Sequence, residues 1–209
     1  MRVLVLGATG GTGRLIVRKA VAAGHEVVAL VRDEAKAAHL SDVRILQGDA
    51  RNGSALAAAL AGCDGVISAL GTGISPLKKV TSLSTATYAL VNAMPGQGVE
   101  RLVCITGLGA GDSRGHGGFL FDRLLMPLLL RNVYADKDRQ EAIVRQSNLD
   151  WTLVRPMVLT NAPATGKVRA TVDLRAVHGG TISRADVAEF VVAELTMGKW
   201  AKQAPLIRT

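Results

Sequence analysis

A glycine turn wedged between an apolar run and a helical stretch opens this chain, and it limits the available folds more than any other feature. Arg2-Val3-Leu4-Val5-Leu6 is short and apolar, and Gly7-Ala8-Thr9-Gly10-Gly11-Thr12-Gly13 follows without a spacer. From Arg14 onward, apolar residues recur at helical spacing until Gly24 stops them. The order reads strand, glycine turn, helix. Gly7, Gly10 and Gly13 stand at G-x-x-G-x-x-G, one register from the usual dinucleotide fingerprint. Both spacings answer the same needs: a sharp turn at Gly7, bare backbone under a pyrophosphate at Gly10, and close helix–strand packing at Gly13. The helix start adds unpaired N–H groups and a positive dipole end, and Thr9 and Thr12 add hydroxyls. Position separates this motif from an ordinary tight turn, because it follows a buried-type strand and precedes a helix.

The remaining strands follow the same grammar. His25 to Val31 is a second buried strand and ends in Arg32-Asp33, where the fold would present an adenosine ribose. Asp33 suits the 2′-hydroxyl of NAD. Arg32 with Lys36 suits the 2′-phosphate of NADP, which is the preferred expectation, with NAD possible. A third strand and its loop run over Val43 to Ala50, where Asp49 either accepts from an adenine amino group or caps the helix that starts near Asn52. Gly65 to Gly71 forms a fourth strand, expected beside the first at the point where ligands bind. Residues from Pro76 to Val80 read as loop, and Ser82 to Gln97 as helix. The fifth strand, from Arg101, delivers Thr106 and Gly107 to the same crevice, and the glycine-rich stretch from Gly109 to Gly118 reads as a mobile lid.

Phe119 to Leu130 is apolar but broken by charges and Pro127; it reads as core, with a dimer face or a substrate wall as alternatives. In the helix from about Tyr134 to Ser147, Lys137 and Glu141 stand at i and i+4 and read as a surface pair unless the helix flanks a cofactor. Asp150 to Arg155 is a sixth strand, closed by Pro156. Asn161 to Val177 reads as a strand pair or flap over the site, and Ser183 caps a helix that runs to about Leu195.

A chain of 209 residues fits one α/β domain, long enough to bury about 70% of its unfolded surface. Aromatic residues make up only 3%, which argues against a stacking platform for single-stranded nucleic acid. The net charge of +8 comes from 25 Lys and Arg against 17 Asp and Glu; these are scattered, so a basic surface and cations facing an anionic cofactor are expected rather than a nucleic-acid partner. No apolar run reaches membrane-spanning length and the first strand starts at Arg2 without a signal peptide, so a cytoplasmic protein is expected. Cys63 and Cys104 form no C-x-x-C pair and read as buried, reduced thiols.

Taken in order, GATGGTGR, VRD, GDAR, ALGTG, ITGLGAGDS, DKDRQEAIVRQSNLDWTLVRP and TISRADVAEFV cover nearly the whole chain. This set resembles the NmrA-like branch of the atypical short-chain dehydrogenase/reductases, specifically the small members similar to biliverdin-IXβ/flavin reductase. The resemblance implies a Rossmann-type, doubly wound and mostly parallel α/β sheet with a small C-terminal substrate cap. It implies that Gly7, Thr9, Gly10, Gly11, Thr12 and Gly13 hold the pyrophosphate. Arg32 and Lys36 would take the 2′-phosphate, and Asp49 with Ala50 the adenine. Ala69, Leu70, Gly71, Thr106, Gly107, Lys137, Pro156, Met157 and Val158 would line the nicotinamide half.

Two departures stand out. The tyrosine–lysine pair of typical members, Y-x-x-x-K, is replaced by Tyr134-Ala135-Asp136-Lys137, which is one residue short. The crevice serine of flavin reductases is replaced by Thr106. The implied activity is NADPH-dependent reduction of a flat conjugated acceptor such as a flavin, quinone or tetrapyrrole by a monomer or homodimer. Thr106 or Lys137 would orient the ring or a water. The alternatives are a dinucleotide-sensing regulator without turnover and, made less favourable by the broken tyrosine–lysine pair, an epimerase acting on a sugar nucleotide.

Overall fold

The computed structural model describes every residue except 74–76, 119, 120, 176 and 178, and only the backbone of 121 and 122. Pro76, Phe119 and Leu120, which figure in the readings above, lie outside the described residues. The strands are β1 (Arg2–Leu6), β2 (Glu26–Val31), β3 (Val43–Gln47), β4 (Gly65–Ser68), β5 (Arg101–Ile105), β6 (Asp150–Pro156), β7 (Val158–Thr160), β8 (Arg169–Thr171), β9 (Thr181–Ser183) and β10 (Leu206–Arg208). The helices are α1 (Gly11–Ala22), α2 (Gly53–Leu60), α3 (Ser82–Ala93), α4 (Arg131–Gln146) and α5 (Arg184–Met197).

Eight strands form one sheet in the order β3-β2-β1-β4-β5-β6-β10-β8, and every neighbouring pair is parallel except the last. Alternation along β1 shows why the sheet is covered on both sides. Val3 and Val5 pack with Ile16, Val17 and Ala20 of α1 and Val187, Ala188 and Val191 of α5. Leu4 and Leu6 pack on the other face with Leu56 and Leu60 of α2, Leu90 of α3 and Val144 of α4. The protein therefore has the Rossmann-type doubly wound fold. β4 lies beside β1, as expected for a crossover at this point. Because these strands are parallel, the carboxyl ends of β1, β4, β5 and β6 open on one edge.

The structure corrects four readings. The stretch after Asn161 does not fold into a strand pair of its own: β8 is an edge strand antiparallel to β10, while β7 pairs in parallel with β9. The apolar stretch before α4 is a π-helical segment, Phe121–Leu130, containing Pro127. Its Leu124, Leu125, Leu128 and Leu129 are exposed and Met126 is buried, so it is not core. Proline removes a donor and clashes with the preceding turn, which accounts for the irregular helix. The start of the glycine-rich stretch is pinned rather than free: Ser113 is fully buried, its hydroxyl accepts from Gly109 N at 2.9 Å, and Gly111 N donates to Asp138 at 2.8 Å. Finally, Asn52 caps α2, accepting from Ser54 N and Ala55 N, so Asp49 does not. Both cysteines are free and buried, and burial pushes the Cys104 thiol up to about 12.

Candidate active site

The glycine turn is built as its spacing requires. Gly7 has φ +79°, and a Cβ there would stand 2.4 Å from the Ala69 carbonyl oxygen. A Cβ on Gly13 would stand 2.0 Å from the Gly7 carbonyl oxygen, so α1 lies directly on the turn. Gly10 differs: it has φ −78° and ψ 165°, open to any residue, and a Cβ would meet only the Gly7 carbonyl at 3.3 Å. The outer glycines serve packing, while Gly10 presents exposed backbone at the helix start. α1 begins at Gly11, earlier than the sequence suggests, which puts Thr12 and Gly13 in its first turn. No side chain caps this end and no acidic residue lies in its first turn, so its N–H groups and positive dipole end are left without a side-chain partner among the described residues. Bare backbone, close packing and an uncapped helix end fit a dinucleotide diphosphate.

At the end of β2, Arg32 and Lys36 are exposed. Asp33 is turned into its own loop: it accepts from Ala35 N at 3.1 Å and pairs with Lys36 at 3.7 Å. Arg32 forms no ion pair among the described residues. Across the β3 loop, Arg51 grips Asp49 through both carboxylate oxygens and holds its carboxyl down at about 2; Ala50 beside it is half-buried.

The ends of β4, β5 and β6 form the other half of the crevice. Ala69 and Leu70 are half-buried and Gly71 is exposed, whereas Pro156 and Met157 are buried and Val158 is exposed. Next to them, one helix face of α4 delivers two polar groups. The Lys137 ammonium donates to the Thr106 carbonyl oxygen. A Cβ on Gly107 would lie 3.4 Å from Lys137 Nζ and 3.6 Å from the Tyr134 hydroxyl. Residues three apart share a helix face nearly as well as residues four apart, so the short tyrosine–lysine spacing still brings both groups to Gly107. Lys137 is half-buried as a residue, but its ammonium end is enclosed, and burial lowers its pKa despite the opposing pull of Cys104 and Glu141.

Lys137 and Glu141 are not the surface pair the sequence suggests. Glu141 is buried; its carboxylate accepts from the Thr106 hydroxyl at 2.8 Å and from Arg155 at 3.0 and 2.6 Å. Arg155 also reaches Asp112 at 2.5 Å, tying the loop after β5 to β6 and α4. The Thr106 hydroxyl proton is thus committed to Glu141, leaving its lone pairs to accept. Reading the sequence missed Tyr134, Glu141, Arg155 and Asp112 at this site. Tyr134 carried a usable signal in its i, i+3 relation to Lys137, and Glu141 one in its i, i+4 relation, which reads as a surface pair only where the helix does not flank a cofactor.

A family model described as NAD(P)H-binding matches residues 7–197. A Bacillus subtilis protein that carries the name uncharacterized sugar epimerase YhfK is 33% identical over 201 residues, covering 93% of this chain and 88% of its own. The NAD(P)H azoreductase of Xenophilus azovorans is 32% identical over 156 residues, or 74% of this chain and 47% of its own length. Among solved structures, ChuY, an anaerobillin reductase from Escherichia coli O157:H7, superposes with a TM-score of 0.84 at 26% identity, covering 100% of this chain and 97% of its own.

Proposed function

The chain belongs to the NAD(P)H-binding family of oxidoreductases, and from that premise we propose that it uses NADPH to reduce a flat conjugated acceptor. The observation that carries this reading is the ledge at Gly107. There a residue without a side chain is flanked by the Lys137 ammonium and the Tyr134 hydroxyl. A bare backbone surface suits a planar ring, and the two polar groups at its margin suit a carbonyl or ring nitrogen that gains a proton. The names of ChuY and the azoreductase are in keeping with acceptors of this kind.

When bound, the reduced nicotinamide supplies the hydride. The chain's own part is orientation and the proton. Lys137 keeps one N–H on the Thr106 carbonyl and has others to offer, and its lowered pKa makes the proton easier to give up. Thr106 is a positioning residue, because its hydroxyl is held by Glu141. The preference for NADPH rests on Arg32, which has no ion-pair partner among the described residues, and on Asp33, whose carboxylate is occupied in its own turn.

The test is anaerobic mixing with NADPH or NADH and a panel of flavins, quinones, tetrapyrroles and a nucleotide sugar, following the reduced nicotinamide absorbance. NADPH should be consumed with at least one planar acceptor, and Lys137→Met should lower kcat by roughly 100-fold, in the range of a positioned acid. Tyr134→Phe should keep most of the turnover, because Lys137 supplies the proton and the Tyr134 hydroxyl only borders the ledge. Tight NADPH binding without turnover of any acceptor would favour a sensor, and conversion of the nucleotide sugar would favour an epimerase; either refutes this reading.

A further inference from the structure

We propose that Arg184, the first residue of α5, is a clamp on the dinucleotide's diphosphate, acting from beside the first turn of α1. The inference rests on the nucleotide reading above and adds a residue that the glycine motif does not contain. A Cβ on Gly11 would stand 3.1 Å from Arg184 Nε and 3.4 Å from Arg184 Cδ. The guanidinium therefore lies against the first turn of α1, one residue past Gly10. Its own anchorage is slight: among the described residues it donates to the Thr160 carbonyl oxygen at a long 3.5 Å.

The charges around it do not balance. α1 presents an uncapped N-terminus with no acidic residue in its first turn. α5 starts at Arg184 itself, under a Ser183 cap and with Asp186 in its own first turn, so the helix end left uncompensated beside this cation is that of α1. The nearest acid on α5, Asp186, accepts from Thr165 N, Gly166 N and the Ser183 hydroxyl and forms no ion pair with Arg184 among the described residues. The adjoining groove of about 750 Å³ adds Arg14, Arg18 and His39, and no Asp or Glu among the described residues lines it. Placing a guanidinium at the uncapped N-terminus of α1 is unfavourable unless an anion sits between them. The diphosphate expected over Gly10 is that anion, and a bidentate guanidinium suits its oxygens. A 2′-phosphate is the poorer fit, since Arg32 and Lys36 at the end of β2 stand where that group belongs. Gly11 gains a purpose here too, because any side chain would crowd Arg184.

Calorimetric titration of NADPH and NADH into wild type, Arg184→Gln, Arg184→Lys and Arg32→Gln tests this. Arg184→Gln should weaken both dinucleotides by the same factor, about 10- to 100-fold, as expected for loss of a charged hydrogen-bond partner. Arg184→Lys should recover part of the loss, and Arg32→Gln should weaken NADPH alone. Melting curves without ligand check that the Arg184 variants remain folded. Affinities within about twofold of wild type in folded Arg184→Gln, or a loss confined to NADPH, would overturn the proposal. A wild-type protein that binds neither dinucleotide would instead refute the nucleotide reading beneath it.

Discussion

Glu141→Gln is the most searching single change for the site, because it keeps shape and removes the charge that holds three elements together. In the folded protein the Arg155 and Glu141 side chains are only 1% and 2% exposed. Breaking a pair so buried leaves a charge without compensation and costs about 3–5 kcal/mol. Arg155 would retain Asp112, but that side chain is 70% exposed and well solvated, so it compensates weakly. The glutamine can also still accept from Thr106. The lower figure, about 3 kcal/mol, is therefore expected. At roughly 2–4 °C per kcal/mol for a protein of this size, the melting temperature should fall by about 6–12 °C. Thermal unfolding followed by circular dichroism measures it. A second variant, Glu141→Met with Arg155→Met, should recover most of the loss, since apolar replacement of a whole buried pair is often neutral. If the single variant melts within about 2 °C of wild type, or the double variant falls further than the single, the pair does not hold the three elements as described.

Two other changes probe the same crevice. Gly10→Val should fold with a near-normal melting curve yet lose dinucleotide binding by titration, whereas Gly13→Ala should fail to fold stably, since its Cβ would sit 2.0 Å from the Gly7 carbonyl oxygen. A Gly10→Val protein that binds normally would refute the diphosphate site. For Lys137, the folded pKa lies below the ordinary 10.5 because burial penalises the ammonium. Between those two values the unfolded chain binds more protons, so stability should rise with pH there, and denaturant titrations should show the rise disappearing in Lys137→Met. An unchanged slope would mean that the ammonium is not desolvated.

What the sequence made legible is what local chemistry determines. The turn from Gly7 to Gly13 can be read because each glycine answers a steric demand within a few residues of itself. The apolar runs of β1, β2, β4 and β5 are readable for the same reason, being buried on both faces. Ser183 as the cap of α5 also follows from neighbours, and Asp186 N donates to it at 2.9 Å. The Glu141–Arg155–Asp112 cluster was not legible, since Arg155 lies 14 residues from Glu141 and 43 from Asp112, and no periodicity links them. Glu141 at i+4 from Lys137 even suggested the wrong partner, because helical spacing describes a surface and tertiary packing decided otherwise. The short strands β7 and β9 escaped notice because three residues carry no alternation to detect.

The carboxylate of Asp186 links the chain ahead of β8 to α5. It receives Thr165 N and Gly166 N while standing in the first turn of the helix that Ser183 caps. The strap and the helix end are therefore tied through one carboxylate: a strap that swings outward must either break its two N–H bonds to Asp186 or draw that side chain with it. The same carboxylate stands two residues from Arg184, so a strap that moved with Asp186 would alter the electric field at the start of α1.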